Sequence, residues 1–178
     1  DNAKVSYGTI EKVFKNLLSE RVSIRNYKQI LETLGNYSSI TQNIWDLTAK
    51  VRESLGLQIC TQYVDPNERK LRLISLSPEL SELIADHAYY PPDGATPYVA
   101  FDPVDRRRWL SSVDKTMKNV QQLGYLPIIL CVSQIRQLVY QSLEREIPGI
   151  VVLSEAEVFA AGNAISVEII DVLSDDEN

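Results

Sequence analysis

The sequence has few of the residues from which catalytic and metal sites are built. Its 178 residues include two cysteines, one histidine and one methionine. Cys60 and Cys131 lie in short apolar runs that we interpret as buried strands, where a free thiol packs as a small hydrophobe. Neither cysteine has a partner at metal-ligand spacing. We therefore expect no metal site and no disulfide, and this cysteine usage fits a reducing, cytosolic compartment.

Two further absences argue against whole classes of protein. The seven glycines form neither a GxGxxG nor a GxxxxGK pattern, so no phosphate cradle is predicted. No apolar run approaches the roughly 20 residues needed to span a bilayer, and the first residues, DNAKVSYG, lack the basic and apolar regions of a signal peptide. The start at Asp1 rather than methionine suggests a fragment of a longer protein, and we expect this fragment to be water-soluble.

Charge is distributed unevenly along the chain, whose net charge is -6. Residues 1–56 carry 8 basic and 6 acidic groups, a net charge of +2. Residues 57–178 carry 10 basic and 18 acidic groups, a net charge of -8. Nucleic-acid binding depends on a basic face that releases counterions. The second half is therefore predicted not to bind nucleic acid, and the first half is only weakly suited to it.

Residues 1–56 show helical periodicity and no strand pattern, which predicts a small all-helical domain. Three helices are expected: one ending near Glu20, one over Arg25–Leu34 closed by Gly35, and one capped by Thr41 and stopped by Gly56.

Residues 57–178 have the pattern of an α/β domain. Leu57–Tyr63 and Leu71–Leu76 alternate apolar and polar residues around DPNERK, which predicts an antiparallel hairpin. Apolar runs then end in residues that can cap a following helix: Ser77, Asp102, Ser133 and Ser154, the last in a capping box with Glu157.

The stretch from Leu126 to Ser154 is the strongest fold signal. Two short runs, apolar on both faces, flank one segment of helical period, which predicts a parallel βαβ unit in a covered sheet. The predicted fold class is therefore α+β or α/β: a helical subdomain followed by an α/β subdomain whose sheet mixes parallel and antiparallel strands.

No group of side chains predicts catalysis. His87 lies near a helix end, and Arg106–Arg108 point in three directions around their helix, as on a solvated face. The clustered glutamates occupy solvent-facing spacings with no apolar pocket to raise their pKa values: Glu144, Glu146, Glu155 and Glu157. We predict that the chain is not an enzyme and holds no cofactor.

Two other function classes stay open on the residues alone. One is a small-molecule or nucleotide-binding α/β domain, with its cleft at the strand ends. The other is a helix-turn-helix-like nucleic-acid-binding module on the second and third helices, for which Arg25, Asn26, Lys28 and Gln29 are the polar residues able to reach bases.

Three segments resemble, in the same order, segments of one protein family. They are residues 12–34, KVFKNLLSERVSIRNYKQILETL; residues 44–60, IWDLTAKVRESLGLQIC; and residues 126–158, LPIILCVSQIRQLVYQSLEREIPGIVVLSEAEV. The family is that of the large export-gate proteins of bacterial type III secretion, in their cytoplasmic domain. Residues 97–103, PYVAFDP, are more similar to the virulence injectisome branch than to the flagellar branch.

The resemblance implies a place for each half of the chain. In the family, a membrane portion precedes four cytoplasmic subdomains, so residues 1–56 are expected to be the third and residues 57–178 the fourth. The whole protein is expected in the bacterial inner membrane, with this fragment on the cytoplasmic side. The whole protein is expected to form a ring, thought to be nonameric. Chaperones with cargo, a gatekeeper protein, and other export-apparatus and ATPase-complex components are expected to dock on this ring.

The family resemblance also places the helical subdomain at contacts between neighbouring subunits. The SERVSIRN turn brings Glu20, Arg21, Arg25 and Asn26 between two helices, and halves of opposite charge suit a head-to-tail interface. We predict that these four residues form part of an oligomer interface. The alternative is that they are ordinary charges of a turn.

Overall fold

The computed structural model describes residues 5–175; residues 1–4 and 176–178, the outer ends of the two predicted domains, lie outside this range. The described part contains eight α-helices, six strands and one 3-10 helix. The elements in chain order are α1 (Tyr7–Ser19), α2 (Tyr27–Tyr37), α3 (Ile44–Ser54), α4 (Gly56–Thr61), β1 (Lys70–Leu76), α5 (Pro78–Asp86), β2 (Ala88–Tyr89), β3 (Tyr98–Val99), α6 (Pro103–Gln122), β4 (Ile128–Cys131), α7 (Arg136–Leu143), β5 (Val151–Ser154), α8 (Glu155–Ala161), the 3-10 helix (Gly162–Ala164) and β6 (Ser166–Leu173).

The chain forms two compact units, which we call the helical unit and the α/β unit. The helical unit combines the residues up to Gln62 with Ala156–Ala164, and the α/β unit combines Tyr63–Glu155 with the residues from Ile165 onward. The boundary predicted after Gly56 therefore differs from the observed division. A segment from near the end of the chain joins the helical unit, which sequence order does not indicate.

Side-chain caps and a shared apolar core define the helical unit. Ser6 Oγ accepts a hydrogen bond from the Thr9 amide at 3.1 Å before α1. Asn43 Oδ1 accepts from the amides of Trp45 and Asp46, at 2.9 and 3.0 Å, before α3. The buried apolar side chains of this unit include Val13, Leu17, Val22, Ile30, Leu34, Leu47, Val51, Leu55 and Ile59.

The three predicted helices are present with shifted ends. The described chain has no strand between Tyr7 and Leu55, as predicted. Helix α2 continues through Gly35, so this glycine does not close it, and α3 is capped by Asn43 rather than by Thr41. A glycine inside a helix costs roughly 0.5–1 kcal/mol relative to alanine, which burial of Leu34 and its neighbours in the core can offset.

The predicted hairpin of Leu57–Tyr63 with Leu71–Leu76 is wrong. Residues 56–61 form α4, in which Gly56, Ile59 and Cys60 are buried at helical spacing. A short apolar run does not by itself distinguish a buried helix from a strand. The sequence DPNERK therefore connects a helix to β1, and Cys60 lies in a helix rather than in a strand.

The α/β unit is built on a four-stranded parallel sheet with the order β5-β4-β1-β6. Strands β4 and β5 pair in parallel from Ile128 opposite Val151 to Cys131 opposite Ser154, which confirms the βαβ unit and the α/β class. The prediction that this sheet mixes parallel and antiparallel strands is wrong, because β1 pairs in parallel with both β4 and β6. Antiparallel pairing occurs in the separate two-stranded sheet of β2 and β3.

Two of the predicted strand-to-helix switches are capped as expected. Ser77 Oγ and Asp102 Oδ1 accept hydrogen bonds from first-turn amides at 3.2 and 2.8 Å. The amide of Asp105 thereby holds the pKa of Asp102 below its ordinary value. Ser133 lies in a turn instead, and α7 begins after Ile135 without a side-chain cap.

The core of the α/β unit centres on Trp109 of α6, which is fully buried. Its indole Nε1–H donates to Ser142 Oγ of α7 at 2.9 Å, so the one polar atom of the ring is satisfied. The surrounding core includes Ile74, Ile84, Val113, Met117, Val120, Ile129, Cys131, Leu138, Val139, Leu143, Val152 and Leu173.

Replacing Gly56 by alanine should destabilise the helical unit. The added Cβ would lie 2.3 Å from the carbonyl oxygen of Glu157 and 2.8 Å from Cβ of Ala160, so backbone has to move. We expect a loss of about 1–3 kcal/mol in the free energy of unfolding, measured by urea denaturation. In the control Gly8→Ala, the new Cβ meets nothing closer than 3.8 Å, so stability should hold or rise. Equal effects of the two changes would contradict the close packing of α4.

Candidate protein-interaction site

The four predicted interface residues lie in one turn between α1 and α2, Glu20–Asn26, which we call the α1–α2 turn. Helix α1 ends in a Schellman motif: the amide of Val22 donates to the carbonyl of Leu17, and that of Arg21 to Leu18, both at 3.0 Å. The side chains of Val22 and Leu17 are both buried. The motif therefore fixes the direction in which the chain leaves α1.

Arg21 occupies a backbone position that favours glycine. Its φ is 60°, in the left-handed region, where a residue with a Cβ is strained by roughly 1–2 kcal/mol. Glycine would hold the same motif without that strain. Within the described residues, Arg69 shares this left-handed backbone, with a φ of 56°, and Arg21 is exposed at the surface.

Side chains near α4 hold the α1–α2 turn in place. Gln58 Nε2 donates to the carbonyl of Ser23 at 3.0 Å, and Gln58 Oε1 accepts from Asn26 Nδ2 at 2.5 Å. Gln62 Nε2 donates to the carbonyl of Arg21 at 3.1 Å. These three bonds satisfy polar groups of the turn and limit its freedom.

Glu20 faces inward, toward a buried ion pair. Arg52 of α3 is 3% exposed, and its Nε and Nη2 donate to the two carboxylate oxygens of Glu157 at 2.8 and 3.1 Å. This is the bidentate geometry that suits a guanidinium best. Arg52 Nη1 lies 3.6 Å from Oε1 of Glu20, whose side chain is 11% exposed. Glu20 therefore stabilises the interior of the unit.

Cys60 lies beside this ion pair. Its Sγ is 3.9 Å from the carbonyl oxygen of Glu157. Burial, followed by the charge of the Glu157 carboxylate, raises the pKa of Cys60 to about 11. A reactive cysteine needs a lowered pKa, so we assign this thiol to packing.

The structure thus brings the four predicted residues together but separates their roles. Glu20 is largely buried, and the Asn26 amide is bonded to Gln58. Arg21 and Arg25 are exposed. Of the four residues, these two arginines are the ones whose position suits contact with another protein.

Sequence reasoning missed Arg52 and Glu157. Glu157 was interpreted as a solvent-facing carboxylate in a capping box, whereas it is 2% exposed and bonded to Arg52. One signal was available: Arg52 has the helical spacing of the α3 core, between Thr48 and Leu55. Its partner lies 105 residues further along the chain, beyond the reach of local pattern analysis.

His87 and Arg108, also singled out in the sequence, have structural contacts. His87 is the C-cap of α5, as predicted, with Nδ1 2.9 Å from the carbonyl of Leu83. Arg108 pairs with Asp105 and Asp175. Within residues 5–175, no three His, Cys, Asp or Glu side chains are grouped as a metal site needs. Within the same range, no helix has both the length and the apolar character to cross a membrane.

Comparison with known proteins identifies the family. The sequence model of the FHIPEP family matches residues 1–162. The chain belongs to the FHIPEP family. The flagellar biosynthesis protein FlhA of Borreliella burgdorferi is 35% identical over 153 residues, which cover 86% of this chain and 22% of that protein. The low calcium response locus protein D of Yersinia pestis is 29% identical over 147 residues, which cover 83% of this chain and 20% of that protein.

Solved structures of FHIPEP relatives share the fold. The CdsV and CdsO complex of Chlamydia pneumoniae matches with a TM-score of 0.80 and 26% identity, covering 96% of this chain and 48% of that chain. The nonameric EPEC SctV-C matches with a TM-score of 0.78 and 24% identity, and the match covers 94% of this chain and 48% of that chain. The chain thus spans about a fifth of the curated relatives and about half of the solved chains.

Both branches of the family are represented among the curated relatives. FlhA proteins match at 31–35% identity and the low calcium response protein at 29%. The preference for the injectisome branch, which rests on residues 97–103, stays a prediction.

Replacing Glu157 by glutamine should destabilise the fold far more than Glu155→Gln. Removing one charge of a buried pair costs about 3–5 kcal/mol, because the other charge is left without its partner. Glu155 is exposed, so its neutralisation should stay within about 0.5 kcal/mol. Urea denaturation measures both effects. The double variant Arg52→Met/Glu157→Leu should recover part of the loss, and similar stability of the two single variants would refute the buried pair.

Proposed function

We propose that this chain is part of the cytoplasmic domain of a type III secretion export gate, where it forms a segment of a ring that docks export complexes without chemistry of its own. The observation that carries the proposal is the FHIPEP family match over residues 1–162. Relatives with this fold have been solved as nonamers, which supports the ring. The whole protein would lie in the bacterial inner membrane, with this chain on the cytoplasmic side and an injectisome as the preferred system.

The α1–α2 turn supports a role in ring contacts. A closed ring needs a heterologous interface, in which one surface of a subunit meets a different surface of the next. Arg21 and Arg25 are exposed on a turn that hydrogen bonds hold in place, and arginine pairs well with carboxylates. Residues 57–178 carry a net charge of -8, so a neighbouring subunit can supply carboxylates.

Docking of partners is the second part of the proposal. CdsV, a relative with the same fold, has been solved in a complex with CdsO. We propose that secretion chaperones with cargo, a gatekeeper protein, and other export-apparatus and ATPase-complex components dock on the ring. Such contacts must be transient if cargo is to be passed on, so each affinity should be modest. A ring then gains affinity from the effective concentration of its repeated sites.

Arg21→Glu and Arg25→Glu should each abolish ring assembly by the complete cytoplasmic domain. Each change places a carboxylate where the neighbour is expected to present acidic groups, and like charges repel. Sedimentation velocity and electron microscopy measure the assembly, and circular dichroism checks the fold. Arg107→Glu, an exposed site with the same charge change, should leave rings intact. Rings unaffected by both turn variants would remove the α1–α2 turn from the interface.

A pull-down tests the proposed function as a whole. The complete cytoplasmic domain and the present chain would be used as baits in lysate of the source bacterium, with mass spectrometry of the captured proteins. We expect secretion chaperones or a gatekeeper with the complete domain, and weaker capture with this chain because it lacks neighbouring subunits and the preceding subdomains. Recovery of metabolic enzymes alone with both baits would overturn the proposal.

A further inference from the structure

The α/β unit contains a polar cleft that includes no residue of the α1–α2 turn. Its volume is about 240 Å³, and it lies between β3, the first turn of α6 and the end of α7. The lining side chains that could contact a ligand through charge, hydrogen bonds or aromatic surface are Tyr98, Phe101, Arg106, Gln141, Glu144 and Arg145.

The walls of this cleft are held by contacts behind them. The Tyr98 ring lies 5.2 Å from the ring of Tyr89, between centroids, and Phe101 lies 6.4 Å from the buried ring of Trp109. Ser142, which also lines the cleft, accepts the indole hydrogen bond of Trp109 at 2.9 Å. These contacts hold the aromatic wall and the Ser142 side of the cleft in place, which reduces the ordering that a ligand would have to impose.

The charges of the cleft favour an anion. Arg106 lies in the first turn of α6, where the helix end adds partial positive charge. Its Nη2 is 3.3 Å from Oε1 of the half-exposed Glu146. Within the described residues, no carboxylate is close enough to form an ion pair with Arg145, and Glu144 is the acidic residue among the lining side chains. The lining side chains thus carry one net positive charge, from Arg106 and Arg145 against Glu144, on a unit that is acidic as a whole.

The size of the cleft limits what the anion can be. Sites for drug-sized ligands and cofactors usually enclose about 300–1,000 Å³, so this one is small for a nucleotide. It suits a single carboxylate, whose two oxygens match the guanidinium fork, with the Gln141 amide as a further donor. A carboxylate on a protein chain would also place neighbouring residues against Tyr98.

We propose that this cleft binds a carboxylate presented by an acidic segment of a partner protein, with Arg106 and Arg145 as the recognition residues. The inference deepens the proposed function and rests on it, since the ligand is part of a docking protein rather than a free metabolite. The site lies within one unit, so its binding can be measured on the isolated chain.

The test is a ¹H–¹⁵N NMR titration of the 178-residue chain with an acetylated, amidated hexaglutamate peptide. We expect saturable shifts of the Trp109 indole resonance and of the amides of residues 141–145. Arg145→Glu should weaken binding about tenfold or more, because a hydrogen bond to a charged group contributes about 1.5–3 kcal/mol. The matched control is Arg107→Glu, which makes the same charge change on α6 outside the cleft. The affinity of this variant for the peptide should stay within about twofold of that of the unchanged chain, because a substitution at an exposed site has a small effect.

Four outcomes would overturn the inference. They are the absence of a saturable shift at millimolar peptide, shifts confined to other residues, equal weakening by the Arg107 and Arg145 variants, and inorganic phosphate binding at the same resonances as tightly as the peptide. The last would identify a site for a free anion. If hexaglutamate binds as expected while the pull-down recovers no secretion component, the proposed function fails and the carboxylate site stands.

Discussion

The helical unit depends on one buried charge, the guanidinium of Arg52. Moving such a group out of water costs several kcal/mol unless carboxylates compensate it with good geometry. Glu157 supplies a bidentate partner and Glu20 a second carboxylate, so α1, α3 and α8 must meet at one point. The close approach of Gly56 to the Glu157 backbone lets α4 pack against the same segment. Glu20 is drawn inward and Val22 is buried, whereas Arg21 and Arg25 of the same turn lie at the surface.

A pair of this kind is better understood as a constraint on geometry than as a source of stability. Well-packed apolar residues of similar volume are often as stabilising as a buried ion pair. What Arg52 adds is selectivity: Glu157, 105 residues away, satisfies it only when α8 is docked in one position. The helical unit is consequently not a contiguous stretch of sequence. A chain ending near Gln62 would leave Arg52 without its bidentate partner.

The sequence predicted those elements whose signal is local. The βαβ unit followed from strands apolar on both faces around one helical period, and the Ser77 and Asp102 caps followed from residue type. The hairpin prediction was wrong because the apolar pattern of residues 57–63 fits a short helix as well as a strand. Of the candidate site, sequence and resemblance located the turn, but the inward direction of Glu20 depends on Arg52, a tertiary contact that periodicity does not reveal.

The two proposed interaction sites share one physical design, exposed arginines on supports that other contacts hold rigid. Gln58 and Gln62 fix the α1–α2 turn, and the Trp109–Ser142 hydrogen bond fixes a wall of the cleft. A rigid support reduces the entropy lost when a partner binds, which favours selectivity. The charges themselves remain accessible to water and salt, so each ion pair weakens as the salt concentration rises. If the proposed docking is correct, binding through such pairs would be readily reversible, as a surface that passes cargo on requires.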